Sequence, residues 1–291
     1  MSTNDTGMPS RPWSPSAVEL DRRAFRRART TRSVVTATLS SIVVFLVLSV
    51  VITRSPGWPR VKETYFSWDK AVSSFPAVLE GFWLNVRIMV ICGAIIGVFG
   101  LALAIMRTLR GPVFFPVRAF ATAFTDTFRG LPLILVILLL GFGVPALNIE
   151  GVTNDVLLLG CTGLVLSYSA YVGEVIRAGI ESIHPSQRAA ARSLGLTHVQ
   201  TLRFVVIPQA LRRVMPALLN DLVSLQKDSG LISILGVVDA VQAAHIEEAA
   251  DFNYTPYVVA GVLFLSLTVP MTRFTDWVAR RQGGPGVGGA V

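Results

Sequence analysis

The stretch FWLNVRIMVICGAIIGVFGLALAIM, residues 82–106, carries one charged side chain, Arg87. It is long enough to cross the hydrocarbon core of a bilayer as a helix, which takes roughly 17–25 residues. Further apolar runs occupy residues 34–53, 131–147, 156–176, 211–238 and 257–278. Because lipid leaves backbone polar groups no partner but each other, these runs predict an all-α membrane protein with about six transmembrane helices. The whole chain agrees: its 291 residues are 52% hydrophobic and 15% charged, with a mean hydropathy of +0.58. That balance is too oily for a soluble domain.

The net charge of +8 does not point to nucleic acid, because the basic residues lie between apolar runs rather than on one face. They report orientation instead, since short cytoplasmic loops retain Lys and Arg. Arg22, Arg23, Arg26, Arg27, Arg29 and Arg32 precede the first run; Arg107, Arg110 and Arg118 follow the second. Arg188, Arg192, Arg203, Arg212 and Arg213 follow the fourth, and Arg273, Arg280 and Arg281 mark the end. All fall on one side, so both termini are expected in the cytoplasm. The alternate connections hold Glu150 and Asp155, then Glu247, Glu248 and Asp251, with no base.

The expected organisation is a disordered basic cytoplasmic tail (1–33), a first span (34–53), an extracytoplasmic loop (54–80), a transmembrane domain (81–281) and a flexible tail (282–291). The first run exceeds a signal-peptide core of about 7–15 residues and lacks a small-residue cleavage site, so it reads as an uncleaved span. Residues 114–128 read as a helix leading into the third span, with a bend at Pro132. Cys92 and Cys161 lie inside apolar stretches and read as packing residues.

Residues 183–210 form the long cytoplasmic connection between spans four and five. Ser186 is placed to cap a helix over 187–194, Gly195 to end it in a left-handed turn, and Thr197 to cap a second helix running through 206 and ending near Pro208. This knob is small on one side (Ala189, Ala190, Ala191) and basic on another. It suits insertion into a groove on a cytoplasmic partner, or equally a pair of helices lying on lipid headgroups.

Ala189-Ala190-Ala191, three residues, Gly195, nine residues, then Val205-Val206-Ile207-Pro208 resembles the loop signature of the permease subunits of ATP-binding-cassette importers. Ala189 stands where that signature has Glu, while Val205 and Ile207 are apolar swaps. Phe128-Arg129-Gly130-Leu131-Pro132-Leu133, YSAYVGEVIRAG at 168–179, Pro208-Gln209-Ala210 and Gln226-Lys227-Asp228-Ser229-Gly230-Leu231 are similar to the polar amino-acid branch, the histidine, glutamine and glutamate permeases. The likeness runs from about residue 82 to residue 280, making the span at 34–53 an addition to a five-span core.

The resemblance implies a multi-pass protein of the cytoplasmic (inner) membrane that translocates polar amino acids by alternating access. The loop would dock on a separate ATPase subunit that uses ATP and Mg. A second permease, identical or different, would pair with this chain, and an extracytoplasmic amino-acid-binding protein would deliver substrate. This sequence has no phosphate-binding loop of the G-x-x-x-x-G-K-[ST] kind, so no cofactor is expected on this chain. An ion-gradient-driven secondary transporter is the alternative, with Asp221 and Glu174 as coupling carboxylates. An enzyme is disfavoured, since His184, His198 and His245 fall on opposite sides of the membrane.

Ionisable groups inside a bilayer usually face a cavity or a partner. Arg87, near an outer end, can snorkel. Asp126 and Arg129, and Glu174 and Arg177, are spaced to pair along a helix. Gln226, Lys227, Asp228 and Ser229 interrupt the fifth span just before Gly230. A helix broken there would either line a substrate path, together with Asp221, Glu174 and Arg129, or serve as a structural hinge.

Overall fold

The computed structural model describes residues 16–109 and 111–282, and every regular element among them is helical. Residues 1–15, Arg110 and 283–291 lie outside the described residues, and with them most of the expected tails. The chain divides into two units, residues 1–61 and 62–291.

The first unit carries helix α1, Ala17–Thr53. It starts well before the apolar run, so residues 17–33 are helical rather than disordered. Ser16 Oγ accepts from the Glu19 N–H at 3.3 Å, and Ala and Arg propagate a helix well once it is capped. Along the apolar half, side chains such as Val34, Leu39, Phe45 and Ile52 are exposed, as a lipid-facing helix requires.

The expected outer loop at 54–80 is also largely helical, in α2 (Trp58–Tyr65) and the start of α3 (Trp68–Thr108), where the Ser67 hydroxyl accepts from the Lys70 N–H. Helix α4, Phe115–Gly130, follows, then α5, Leu133–Leu138. The chain bends 104° between them, at the Pro132 that cannot continue a hydrogen-bond ladder. A π turn at Leu139–Gly143 joins α5 to a short α6, Val144–Ala146.

Helix α7, Val156–Glu181, is capped by Asp155, whose Oδ1 accepts from the Leu157 and Leu158 N–H groups. Then come α8 (Pro185–Ser193), α9 (His198–Thr201) and α10 (Ile207–Asp228). A tight 3-10 turn at Ser229–Leu235 precedes α11, Ala240–Ala249, and the last helix is α12, Thr255–Arg281. Among the described residues four helices are long and apolar enough to cross a membrane, and two bent pairs raise the total to as many as six.

Helix α3 packs along α7 where small residues let backbones approach: a Cβ on Gly100 would lie 2.6 Å from Val172 Cγ1, and one on Gly173 would lie 3.2 Å from the Gly100 carbonyl oxygen. The main core joins Ile88, Cys92 and Ile96 of α3 to Leu164, Tyr168 and Val172 of α7, and to Leu225 and Ile232. A second core sets Val78 and Phe82 against Ala240, Ala243 and Ala244 of α11 and Ala260 of α12. Much of α12's outer surface is exposed, with Val262, Leu265 and Val269 among the exposed residues.

Candidate functional site

The knob forms in outline as its residues dictate. Helix α8 begins two residues earlier than expected, because Pro185 at its first position has its φ already helical. The cap is therefore His184 rather than Ser186: its Nδ1 accepts from the Ser186 N–H at 3.2 Å. Gly195 adopts φ +81°. Leu196 N–H reaches the Ala191 carbonyl at 3.2 Å and Gly195 N–H the Arg192 carbonyl at 2.9 Å, the paired bonds that close a helix through a left-handed residue. Thr197 and Gln200 then cap α9 reciprocally.

The second helix does not stop near Pro208. It passes through a π turn at Leu202–Val206 directly into α10, and this widened turn accommodates Pro208, whose missing N–H and ring a regular α ladder would not. The knob and the fifth span are thus one rod, His198–Leu235. Arg188 Nη2 donates to the Ile180 carbonyl at 2.8 Å and Arg213 Nη1 to the Ser182 carbonyl at 3.2 Å, tying the knob to the end of α7. Ala191, Val206 and Ala210 are buried against the bundle. Ala189, Ala190, Gly195 and Pro208 are exposed, while Val205 and Ile207 are half-buried. Beside them Leu194, Val199 and Phe204 are 82%, 72% and 62% exposed, an apolar surface with nothing covering it in the single chain.

Inside the bundle, Glu174 is a hub. Its carboxylate pairs with Arg107 of α3 at 2.5 Å and with Arg177 at 2.5 Å, while Arg129 lies 3.9 Å away. Arg177 also binds Glu181. Arg129 therefore faces Glu174 and Tyr171, its guanidinium 5.9 Å from the Tyr171 ring, instead of pairing with exposed Asp126. The spacing of Glu174 and Arg177 disclosed their pairing; Arg107, far off in the chain, had no such signal.

The expected break does not fall at Ser229: there the α-helix tightens into the 3-10 turn Ser229–Leu235, and the 48° bend comes between Leu235 and Ala240. The residues expected at the break are held by different helices. Tyr168 of α7 donates its hydroxyl to Asp228 Oδ2 at 2.6 Å. Thr268 of α12 donates to Gln226 Oε1 at 2.7 Å, leaving the buried Gln226 amide nitrogen without a partner. Ser229 Oγ donates to the Gln226 carbonyl and accepts from Asn85 of α3. Lys227 points to an exposed position, so it forms no couple with Asp228. Asp221 lies lower on α10 and lines a cavity of about 320 Å³ with Gly93, Gly97, Tyr168 and Leu222; one of its carboxylate oxygens is buried without a partner. Asn85, Tyr168, Asp239 and Thr268 were not singled out from the sequence, since each gains its role only from a neighbour across the bundle. Among the described residues no group of three or more His, Cys, Asp or Glu side chains can hold a metal ion.

Comparison with known proteins places this arrangement. The profile of the family described as "Binding-protein-dependent transport system inner membrane component" matches residues 113–284. The arginine transport system permease protein ArtQ of Bacillus subtilis (strain 168) is 32% identical over 216 residues, covering 74% of this chain and 96% of the relative. The glutamate/aspartate import permease protein GltK of Escherichia coli O157:H7 is 32% identical over 222 residues, covering 74% and 98%. A crystal structure of an amino acid ABC transporter with histidines superposes with a TM-score of 0.66 at 28% identity, covering 74% of this chain and 98% of that one. The MetNI methionine transporter, at 19% identity and a TM-score of 0.58, covering 70% of this chain and 95% of its own, shares the fold. These matches overturn the ion-gradient alternative, and Glu174, committed to arginines, is not the free carboxylate it required. The chain belongs to the binding-protein-dependent transport system inner membrane components, as a permease subunit of an ATP-binding-cassette importer whose ATP is hydrolysed on a separate subunit.

Proposed function

We propose that this chain carries a polar amino acid into the cytoplasm across the cytoplasmic membrane, by alternating access. The observation that carries the mechanism is the rod His198–Leu235, which joins the exposed knob to the broken segment through the bundle, roughly 55 Å at 1.5 Å per residue. Closure of two ATPase subunits around ATP and Mg would displace the knobs, and a rigid rod passes that displacement on instead of absorbing it. The bundle then switches between two packings, driven by the ATPase's differential affinity for them.

In this reading the ATPase seats on Ala189, Ala190, Ala191, Gly195, Val205, Ile207 and Pro208, with Leu194, Val199 and Phe204 supplying apolar contact. Ala189 replaces a carboxylate at this seat, so docking relies on shape and apolar burial. Residues 81–281 form the permease core with the coupling segment 183–210. The helix at 34–53 is a sixth span, and both termini are cytoplasmic. A second permease, alike or different, completes the pathway, and an extracytoplasmic binding protein delivers the substrate. Asp228, Asp221, Glu174 and Arg129 line the passage, and the buried Gln226 and Ser229 brace its wall; Lys227, exposed on the single chain, faces the second permease or lipid.

The amino-acid substrate is supported by the names of the relatives and by a passage that offers both signs of charge, as a zwitterion needs. The test is reconstitution in proteoliposomes with the partner ATPase and binding protein. Labelled polar amino acids should accumulate with ATP and Mg, and not with an imposed proton or sodium gradient alone. Accumulation driven by the gradient without ATP would overturn the reading.

A further inference from the structure

A knot of buried polar groups sits where α3 meets the break in the fifth span. Asn85, 1% exposed, donates from Nδ2 to Ser229 Oγ at 3.2 Å and to Asp239 Oδ2 at 3.0 Å, while its Oδ1 accepts from the Ala240 N–H at 3.1 Å. The other Asp239 oxygen accepts from the Val241 and Gln242 N–H groups at 3.0 and 2.9 Å, capping α11. Ser229 and Asp239 are fully buried, and among the described residues no ion pair involves Asp239. One turn before Asn85 on α3, a Cβ on Gly81 would fall 2.4–2.6 Å from the Asp239 carbonyl and the Ala240 nitrogen, so the two backbones touch.

A buried carboxylate is tolerated where hydrogen bonds and a helix N-terminus satisfy it, and here the start of α11 and the Asn85 amide do so together. The Asn85 amide meets Ser229 before the 48° bend and Asp239 and Ala240 at and after it, so this one side chain fastens both the Ser229–Leu235 turn and the start of α11 to α3. Ser229 in turn holds the Gln226 carbonyl at 2.7 Å, next to the Asp228 that receives Tyr168.

We propose that Asn85 is a positioning residue for transport. It clamps the end of the rod and the start of α11 to α3 so that motion of the rod reaches the outer half of the bundle instead of being lost by flexing at the bend between Leu235 and Ala240. It touches no substrate. This inference rests on the reading of the chain as an ATP-driven importer subunit, and wild-type uptake in the same proteoliposomes tests that reading separately.

The experiment compares Asn85→Leu, Asn85→Asp and the exchange Asn85→Asp with Asp239→Asn, in the full complex with ATPase and binding protein. Asn85→Leu removes the three hydrogen bonds at nearly constant volume. It should leave ATP hydrolysis and the half-saturating substrate concentration near wild type while lowering uptake per ATP about tenfold, the scale set by stranding buried hydrogen-bonding groups. Asn85→Asp sets two carboxylates face to face and should lose coupling also, whereas the exchange restores an amide opposite a carboxylate and should recover it. Wild-type uptake per ATP in Asn85→Leu would overturn the proposal. Should Asn85→Leu fail to assemble, the exchange decides: recovery over Asn85→Asp supports the clamp, and no recovery overturns it.

Discussion

Replacing Gly195 by Val tests the knob at its most constrained point. Gly195 sits at φ +81°, and a Cβ added there would meet nothing within 4 Å, so the substitution creates no clash with neighbours. Its cost is conformational: an L-residue in the left-handed region pays about 1–2 kcal/mol, and a β-branched one lies at the upper end or above. The chain must either bear that strain or release it by letting go of the Leu196-to-Ala191 and Gly195-to-Arg192 bonds, each worth about 1 kcal/mol net. Either way the docking-ready shape loses about 1–2 kcal/mol, which corresponds to roughly 5–30-fold weaker engagement of the ATPase. Insertion should be unaffected, because the strain lies in an exposed turn outside the apolar helices. Co-purification of the ATPase and uptake per ATP hydrolysed are the readouts. Gly195→Asn, which tolerates the left-handed region, should show a much smaller effect. Wild-type coupling in Gly195→Val would refute the reasoning.

Glu174→Gln removes the anion shared by Arg107 and Arg177 and should cost about 1–3 kcal/mol, discounted from a fully buried pair because all three groups are partly exposed; thermal unfolding in detergent would show it as a lowered Tm. Asp228→Asn keeps an oxygen for the Tyr168 hydroxyl and should leave assembly intact while reducing uptake, as measured by labelled amino-acid transport. Leu194→Asp with Val199→Asp puts charge on the exposed knob surface and should abolish ATPase co-purification with little change in the permease's own Tm. Asp221→Asn removes a carboxylate with an unpartnered buried oxygen and should raise Tm while lowering transport, if the cavity it lines is part of the passage.

Much of the bundle was legible because a bilayer penalises polarity run by run. The stretch at 82–106 could be nothing but a helix long enough to cross a bilayer, though the ends of such helices extend beyond the apolar part. Helix α3 reaches back to Trp68 and α1 to Ala17, since capping and propensity rather than hydropathy set those limits. The Gly195 turn was legible for a local reason as well: its bonds close within one helical turn. The continuity of α9 with α10 was not, because a Pro at 208 reads as a stop unless the π turn that accommodates it is known.

The sequence by itself determined the class of solvent around this chain, the apolar spans and the helix-glycine-helix knob, because each depends on residues close together along the chain. Only the tertiary structure decided which polar groups meet: Glu174 with Arg107, Asp228 with Tyr168, Gln226 with Thr268, and Asn85 with Ser229 and Asp239. Those partners lie on different helices, and a hydrogen bond or ion pair between them is set by how the helices cross, a relation that no local pattern of residues encodes.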